Sequence, residues 1–382
     1  MNYIKVKDVT DFVRNGANIK QDKQCTSGIP ITRIETISNS QFNWNKFGYA
    51  NITDDKYKEY YLKDKDVLLS HINSAKFLGR SVLFEQKNTH PIIHGMNLLC
   101  LRFRQEEYMP SFFVWYSKSQ IANNYFAENT KKAVNQASIT SSAIKEMPIP
   151  DITLGNQQKI AAELDTIQSA IDNKKQQLSL LDEAVKSEFV EMFGNPIANE
   201  KNWTKKTMID VCPIKEYEFL PSENEWILNL DMIESNTGTI LEKVISPLAE
   251  IGNSTIKFSQ NHVLYSKLRP YLNKVALPDS YGFATSELIP FLPGKEINKI
   301  YFATFLRSEP FVELINSKSG GAKMPRASMD FLRKFEIPIP PLTLQNQFAA
   351  FVQQIDKSKF VVKQQIADLQ ELLDSKMQEY FS

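Results

Sequence analysis

Apolar residues recur at alternating steps of four and three in two long stretches of the chain. In the first, the stripe runs through Ile160, Leu164, Ile167, Ile171, Leu178, Leu181, Val185 and Met192, with breaks at Lys174 and Glu188. In the second it runs through Phe348, Val352, Ile355, Val362, Ile366, Leu369, Leu373 and Tyr380, with breaks at Lys359 and Lys376. This heptad period predicts two helices, each with a seam too narrow for an ordinary globular face. Neither proline nor glycine occurs in 156–193 or 343–382, although the chain holds 18 prolines and 13 glycines. Pro150 and Pro340-Pro341 limit where each helix can begin, Thr153 and Thr343 are candidate N-caps, and Gly194 with Pro196 ends the first. Some 40 residues of helix make a rod roughly 60 Å long. Such a seam cannot be buried by its own helix, so the two are expected to pair, antiparallel if a twofold relates them. The alternative is that each packs separately on its own globular module.

Between these helices the pattern changes to short apolar runs bounded by turn residues. DVLLS, SVLFE, NLLCLRF, HVLYS and KVALP read as strands, whereas YMPSFFVWYSKSQIANNYF and KIYFATFLRSEPFVELINS read as one or two helices each. The expected modules are mixed α/β with a largely antiparallel sheet.

The chain also repeats itself. MPIPDITLGNQ at 147–157 matches EIPIPPLTLQNQ at 336–347, with Pro148, Ile149, Pro150, Thr153, Leu154, Asn156 and Gln157 recurring 190 residues later. Ala137-Ser138-Ile139 and Ala327-Ser328-Met329 share that offset, and SEFVEMFG at 187–194 echoes SKMQEYFS at 375–382 with an offset of 188. Ile34–Ile37 parallels Leu230–Ile233, and Asp66–Ser70 parallels His262–Ser266, both with an offset of 196. Five matches in one order describe a duplicated unit: module, helix, module, helix.

Composition narrows the function. A chain of 382 residues with 42% hydrophobic and 23% charged residues has enough apolar mass for two cores. No window is apolar enough to span a bilayer, and MNYIKVKDVTDF lacks the core of a secretion signal, so no membrane role is expected. Cys25, Cys100 and Cys212 lie far apart, which speaks for a reducing cytoplasm and for buried or half-buried thiols. The net charge of +1 conceals an uneven distribution: residues 1–152 carry 20 Lys/Arg against 15 Asp/Glu, 153–194 carry 4 against 7, 203–342 carry 16 against 16, and 343–382 carry 4 against 5. The first module is basic and both helices are acidic.

No catalytic constellation emerges. There is no GxxxxGK[ST] or GxGxxG, and Asn195-Pro196 lacks the rest of an amino-methyltransferase motif. Pro278-Asp279 with Glu287-Leu288-Ile289 lacks the lysine of a metal-dependent nuclease, and His90 and His94, separated by Pro91, read as surface or turn residues, so no metal site is expected. Polar and basic clusters are more informative. LSHINSAKFLGRS carries His71, Asn73, Lys76 and Arg80, and NTKKAVNQAS carries Lys131, Lys132, Asn135 and Gln136. Their counterparts are YSKLRPYLNKV, with Lys267, Arg269, Tyr271 and Lys274, and SKSGGAKMPRAS, with Lys323 and Arg326. Cations suit phosphates, Arg and Lys suit guanine edges, and Asn and Gln suit adenine edges. These are the candidate DNA-binding residues.

Two unlike modules, each followed by a similar long helix, resemble the specificity subunit of type I restriction–modification systems. The residues that carry the likeness are PIPDITLGNQQKIAAELDTI with KQQLSLLDEAVKSEFVEMFGNP, and IPIPPLTLQNQFAAFVQQIDKSKF with LLDSKMQEYF. The resemblance covers the whole chain. It implies two pseudo-repeated mixed α/β target-recognition domains, at 1–152 and 200–342, separated by two long antiparallel coiled-coil helices at 153–199 and 343–382. It further implies that each domain reads one half of a split, asymmetric DNA sequence and that the helices set the spacing. The helices would also dock two DNA methyltransferase (M) subunits, with restriction/translocase (R) subunits joining the complex. S-adenosylmethionine, ATP and Mg2+ would then belong to those partners and no cofactor to this chain, in a cytoplasmic bacterial or archaeal defence system. The competing expectation is a non-catalytic scaffold that joins two proteins without reading DNA.

Overall fold

The structure, a computed structural model, describes residues 2–21, 24–38, 41–74, 77–87, 89–132, 137–321 and 323–382, with Lys132 described by its backbone alone. The chain forms two compact units, one of residues 1–173 with 365–382 and the other of residues 174–364.

In the first unit, strand Tyr3–Lys5 pairs with Pro148–Pro150, and a four-stranded antiparallel sheet runs in the order Thr10–Asn15, Leu98–Phe103, Val67–Ser70, Ser81–Leu83. Its second layer is helical, Pro110–Tyr116 and Gln120–Glu128, as the sequence predicts for that stretch. Val67, Leu69, Leu99 and Leu101 from the sheet meet Phe112, Phe113, Trp115 and Tyr116 from the helices. The second unit repeats this plan. Lys205–Thr207 pairs with Glu336–Pro338, the strands Val275–Ala276, Val263–Ser266 and Leu288–Phe291 form one sheet, and helices Lys299–Arg307 and Glu309–Ser317 cover it. A further four-stranded sheet, Val244–Pro247, Asn224–Leu228, Gly282–Thr285 and Thr255–Phe258, contains a parallel pair between Asn224–Leu228 and Gly282–Thr285.

The long helices are Leu154–Phe193 and Leu342–Phe381, 40 residues each, and they correspond with an offset of 188. The same offset governs the strands that lead into them, since Tyr3 faces Pro150 and Lys205 faces Pro338. The 190-residue register read from Pro148, Ile149, Pro150, Thr153, Leu154, Asn156 and Gln157 is therefore two residues out. Alternating proline and isoleucine lets the motif slide by two without losing its match; the buried contacts decide. Gln157 Oε1 accepts the Met109 N–H at 2.7 Å while its Nε2 donates to the Ile152 carbonyl at 2.8 Å. Gln345, not Gln347, repeats this, accepting from Asn298 N–H at 2.8 Å and donating to Pro340 O at 2.8 Å. Ala137-Ser138-Ile139 shifts likewise: Thr140 and Ser328 are the equivalent N-caps of short helices, accepting from Ala143 and Phe331. The 196-residue offset holds for strands Val67–Ser70 and Val263–Ser266. Thr343 is not an N-cap: the second long helix starts its ladder from the Pro341 carbonyl, two residues earlier than expected, whereas the first starts from the Thr153 carbonyl.

Both coverings considered for the seam occur together. Near its own module each helix joins that module's core, as Leu164, Ile167 and Ile171 do in the first unit and Phe348 in the second. The far end of the other helix completes the core. Phe381 packs on Phe112 and Tyr116 with ring centroids 5.4 and 5.7 Å apart, beside Ile366, Leu369 and Leu373. In the second unit Phe189 and Phe193 pack on Tyr301 and Phe348, beside Val185 and Val352. Ile160, Leu178, Leu181 and Ile355 are half-buried, and Val362 is buried. In each unit the helices therefore lie antiparallel. The breaks in the second stripe make the cross-helix ion pairs: Lys376 binds Glu163 at 3.1 Å, with Tyr380 also donating to Glu163 at 2.6 Å, and Lys359 binds Asp182. Both acids sit on the first helix and both bases on the second. Half-exposed pairs contribute little stability, but they oppose shifted registers.

Three histidines are buried, His71, His94 and His262. His94 thus departs from the expected surface role: its Nε2 lies 2.8 Å from the Leu98 carbonyl, and burial pulls its pKa down to about 4. Burial also lowers His71 and His262, the latter accepting from Ser259 N–H at 3.0 Å through Nδ1. Cys100 and Cys212 are buried and Cys25 half-buried.

Two outcomes follow for stability. Phe381→Ala should cost about 3–5 kcal/mol, read by chemical denaturation, because it empties a site in the core of the first unit. These histidines bind protons less readily when folded than unfolded, so their stabilisation is complete above about pH 6.5 and is lost as pH falls, for His94 down to about pH 4. His94 alone accounts for about 3 kcal/mol of that loss, and denaturation midpoints between pH 7 and 4 should decline less in His94→Gln than in the parent chain.

Candidate nucleic-acid interface

Each unit brings its two polar clusters together through main-chain bonds. In the first, strand Ile72–Asn73 pairs with Ala137–Ser138, which pairs in turn with Lys131–Lys132. In the second, Arg326 bridges to both Leu268 and Gly320, the Arg269 N–H donates to the Pro325 carbonyl at 2.7 Å, and the Ala327 N–H donates to Lys267 O at 2.8 Å. Ile72 with Ser138 and Leu268 with Arg326 are equivalent contacts under the offsets of 196 and 188. Segments about 60 residues apart thus form one loop cluster at the same place in each repeat.

Within the first cluster the expected residues have different fates. His71 is buried, its ring nitrogens 3.2 and 3.3 Å from the carbonyls of Ile139 and Met96, so it holds the two segments together and offers no atom to a ligand. Asn73 is half-buried and engaged locally, donating to Ser70 Oγ at 3.3 Å and accepting from Ser74 N–H at 2.8 Å. Arg80 donates to the Ser38 carbonyl at 2.6 Å and lies 4.3 Å from the Phe77 ring centre. Lys131 is exposed. Lys76, Asn135, Gln136 and the side chain of Lys132 lie outside the described residues.

In the second cluster a strained turn presents the exposed side chains. Arg269 and Asn273 both adopt left-handed backbone, with φ of +49° and +50°, on either side of the short turn Pro270–Leu272. Each such non-glycine residue costs on the order of 1 kcal/mol. The Arg269 strain is offset by the Pro325 contact, and the Asn273 strain by its Nδ2 donating to the Arg307 carbonyl at 2.9 Å. The result is that Arg269 and Tyr271 project into solvent, and among the described residues neither side chain has a hydrogen bond or ion pair. Lys323 is exposed as well, two residues beyond Gly321 at φ +100°. Lys267 and Lys274 instead turn back onto the main chain, donating to Ser286 O at 2.7 Å and Leu230 O at 2.6 Å. Arg326 is held by Glu287, with Nη2–Oε1 at 2.9 Å and Nε–Oε2 at 3.4 Å, which raises its proton affinity further.

Glu287 is the residue in this cluster that sequence reasoning missed as a contact. Its position before an apolar run carries no signal until the loop after Thr285 is seen beside Lys267 and Arg326. Among the described residues no group of three or more His, Cys, Asp and Glu side chains is gathered as for a metal ion, and no helix is long and apolar enough to cross a membrane.

The chain matches the model of the type I restriction modification DNA specificity domain twice, over residues 1–183 and 200–371. A protein of Methanocaldococcus jannaschii named as the MjaX type I restriction enzyme specificity subunit is 29% identical over 378 residues, covering 92% of this chain and 86% of its own. The EcoDI specificity subunit of Escherichia coli is 23% identical over 176 residues, or 44% of this chain and 38% of its own. Among solved structures, the type I restriction–modification S subunit from M. genitalium is similar along the whole chain and 96% of its own, at 14% identity and a TM-score of 0.57. A chain from a study of complex assembly and conformational transition of a type I system is similar over 100% of this chain and 97% of its own, at 14% identity and a TM-score of 0.56. The folds of these two solved structures agree with the duplicated architecture described above.

Proposed function

The chain belongs to the type I restriction modification DNA specificity family, matched over both repeats, and from this membership we propose that each module reads one half of a bipartite, asymmetric double-stranded DNA target. It is a specificity subunit, a DNA-recognition component that is not itself the catalyst. The observation that carries the proposal is the paired loop cluster, built on the same scaffold in both units but from different side chains. Lys131 in one unit and Arg269, Tyr271 and Lys323 in the other are exposed and available to phosphates or base edges. His71 serves the scaffold, not the contact.

The long helices, in this reading, set the distance between half-sites, since readers of one duplex must keep to its helical repeat of about 34 Å. They also dock two methyltransferase subunits. Their acidic balance is unsuited to phosphate, and they leave Leu180, Phe360 and Val361 exposed at 56%, 65% and 53%, the kind of apolar surface a protein partner covers. Restriction subunits would join that assembly, in the cytoplasm of a bacterium or archaeon. S-adenosylmethionine would bind the methyltransferase partners, and ATP and Mg2+ the restriction machinery. High DNA affinity would require the methyltransferase subunits to close around the duplex. Nothing in the comparisons supports the scaffold without DNA readout.

Two experiments test this. Replacing residues 1–152 by another such module should change one half of the methylated motif, read by single-molecule sequencing of host DNA, and leave the other half intact; a change in both halves or in neither would refute the division. Arg269→Ala should weaken DNA binding by the assembled complex and, if it touches phosphate, reduce the slope of log K against log salt by about one.

A further inference from the structure

The Arg326–Glu287 pair has the composition of a base-pair reader. Both partners are held on fixed backbone. Arg326 exchanges main-chain hydrogen bonds with Gly320 at 2.9 and 3.2 Å, and the Glu287 carbonyl accepts from the Lys267 N–H at 3.0 Å, just ahead of strand Leu288–Phe291. The arginine side chain is 50% exposed and the carboxylate 25%. An exposed pair of this kind contributes little to stability, so folding alone gives a weak reason to place an acid within a DNA-facing cluster, where it opposes phosphate.

The chemistry of the major groove gives a stronger one. Guanine presents two acceptors, O6 and N7, that match the planar fork of an arginine, and its partner cytosine presents an N4 amino donor that a carboxylate accepts. An arginine and a glutamate already side by side carry both complements of a single G·C pair. Glu287 also ties the guanidinium up against indiscriminate phosphate contact. The repeat supports a role in discrimination. Ser266 pairs with Leu288 and Ser70 with Leu98, which makes Asn97 the counterpart of Glu287. Ser138 is the counterpart of Arg326, because it faces Ile72 as Arg326 faces Leu268. The same two positions are an acid and a base in one unit and an amide and a hydroxyl in the other, as expected where the two units read different sequences.

We propose that Arg326 and Glu287 together read one G·C base pair in the half-site of the second module, Arg326 at guanine and Glu287 at cytosine. This rests on the reading of the chain as a DNA specificity subunit. The test uses the full chain assembled with its methyltransferase partner. Binding is measured to four duplexes that differ only at a G·C pair of the half-site assigned to residues 200–342, alongside sequencing of methylated sites. Glu287→Gln and Arg326→Lys should each reduce the preference for G·C at one and the same position by about tenfold, leaving the other half-site as it was. A half-site without any G·C pair, or unchanged preference in both variants, would overturn the proposal. Arg269→Ala separates the levels. If it weakens binding while the two variants leave preference intact, the base-pair assignment alone fails; if it too has no effect, the DNA-facing role of this cluster fails with it.

Discussion

The structure depends on a narrow apolar stripe that one helix cannot bury. Each long helix covers part of its seam with the module it leaves and the remainder with the other helix, and its final aromatic closes a core it does not begin in. Phe381 and Phe193 are equivalent residues, each seated among aromatic side chains of the unit it enters. A chain built this way cannot form one complete unit from residues 1–173 alone, since 365–382 supply part of its core. Folding is thereby tied to contacts between residues far apart in sequence, which are slow to form.

Polar groups refine what the stripe begins. Gln157 and Gln345 satisfy main-chain groups where each helix meets its module, and they are almost wholly buried. A buried carboxamide that lost these partners would leave unpaired groups in the core, at about 1–3 kcal/mol each. The cross-helix ion pairs favour the observed register: a slip would take Glu163 and Asp182 away from Lys376 and Lys359.

Against this shared frame, the loop clusters of the two units differ in their side chains. The frame uses main-chain pairing, which tolerates almost any side chain, to bring remote segments together at one place in each unit. Side chains there are then free to vary, which is why an imidazole can serve as a buried strut at His71 while its counterpart Lys267 caps a carbonyl. The left-handed turn at Arg269 and Asn273 shows strain maintained where it orients exposed groups, and the cost is offset by contacts on its buried side.

Much of this was legible in the residue order. Heptad spacing, proline and glycine placement and the duplication are local or periodic signals, so the two helices, the strands around Val67 and Val263, and the modular plan could be read directly. The two-residue error in register came from a motif that is itself periodic, and the strand pairings and the burial of Gln345 instead of Gln347 resolved it. Likewise, composition could nominate basic loops but not say which charges are free. Lys274 and Lys131 look alike in sequence, yet one Nζ is bonded to a carbonyl and the other lysine lies in solvent. The identity of each residue type and its period are properties of the chain; burial, hydrogen-bond partners and the meeting of Glu287 with Arg326 are properties of distances between segments, and those exist only after the chain has folded.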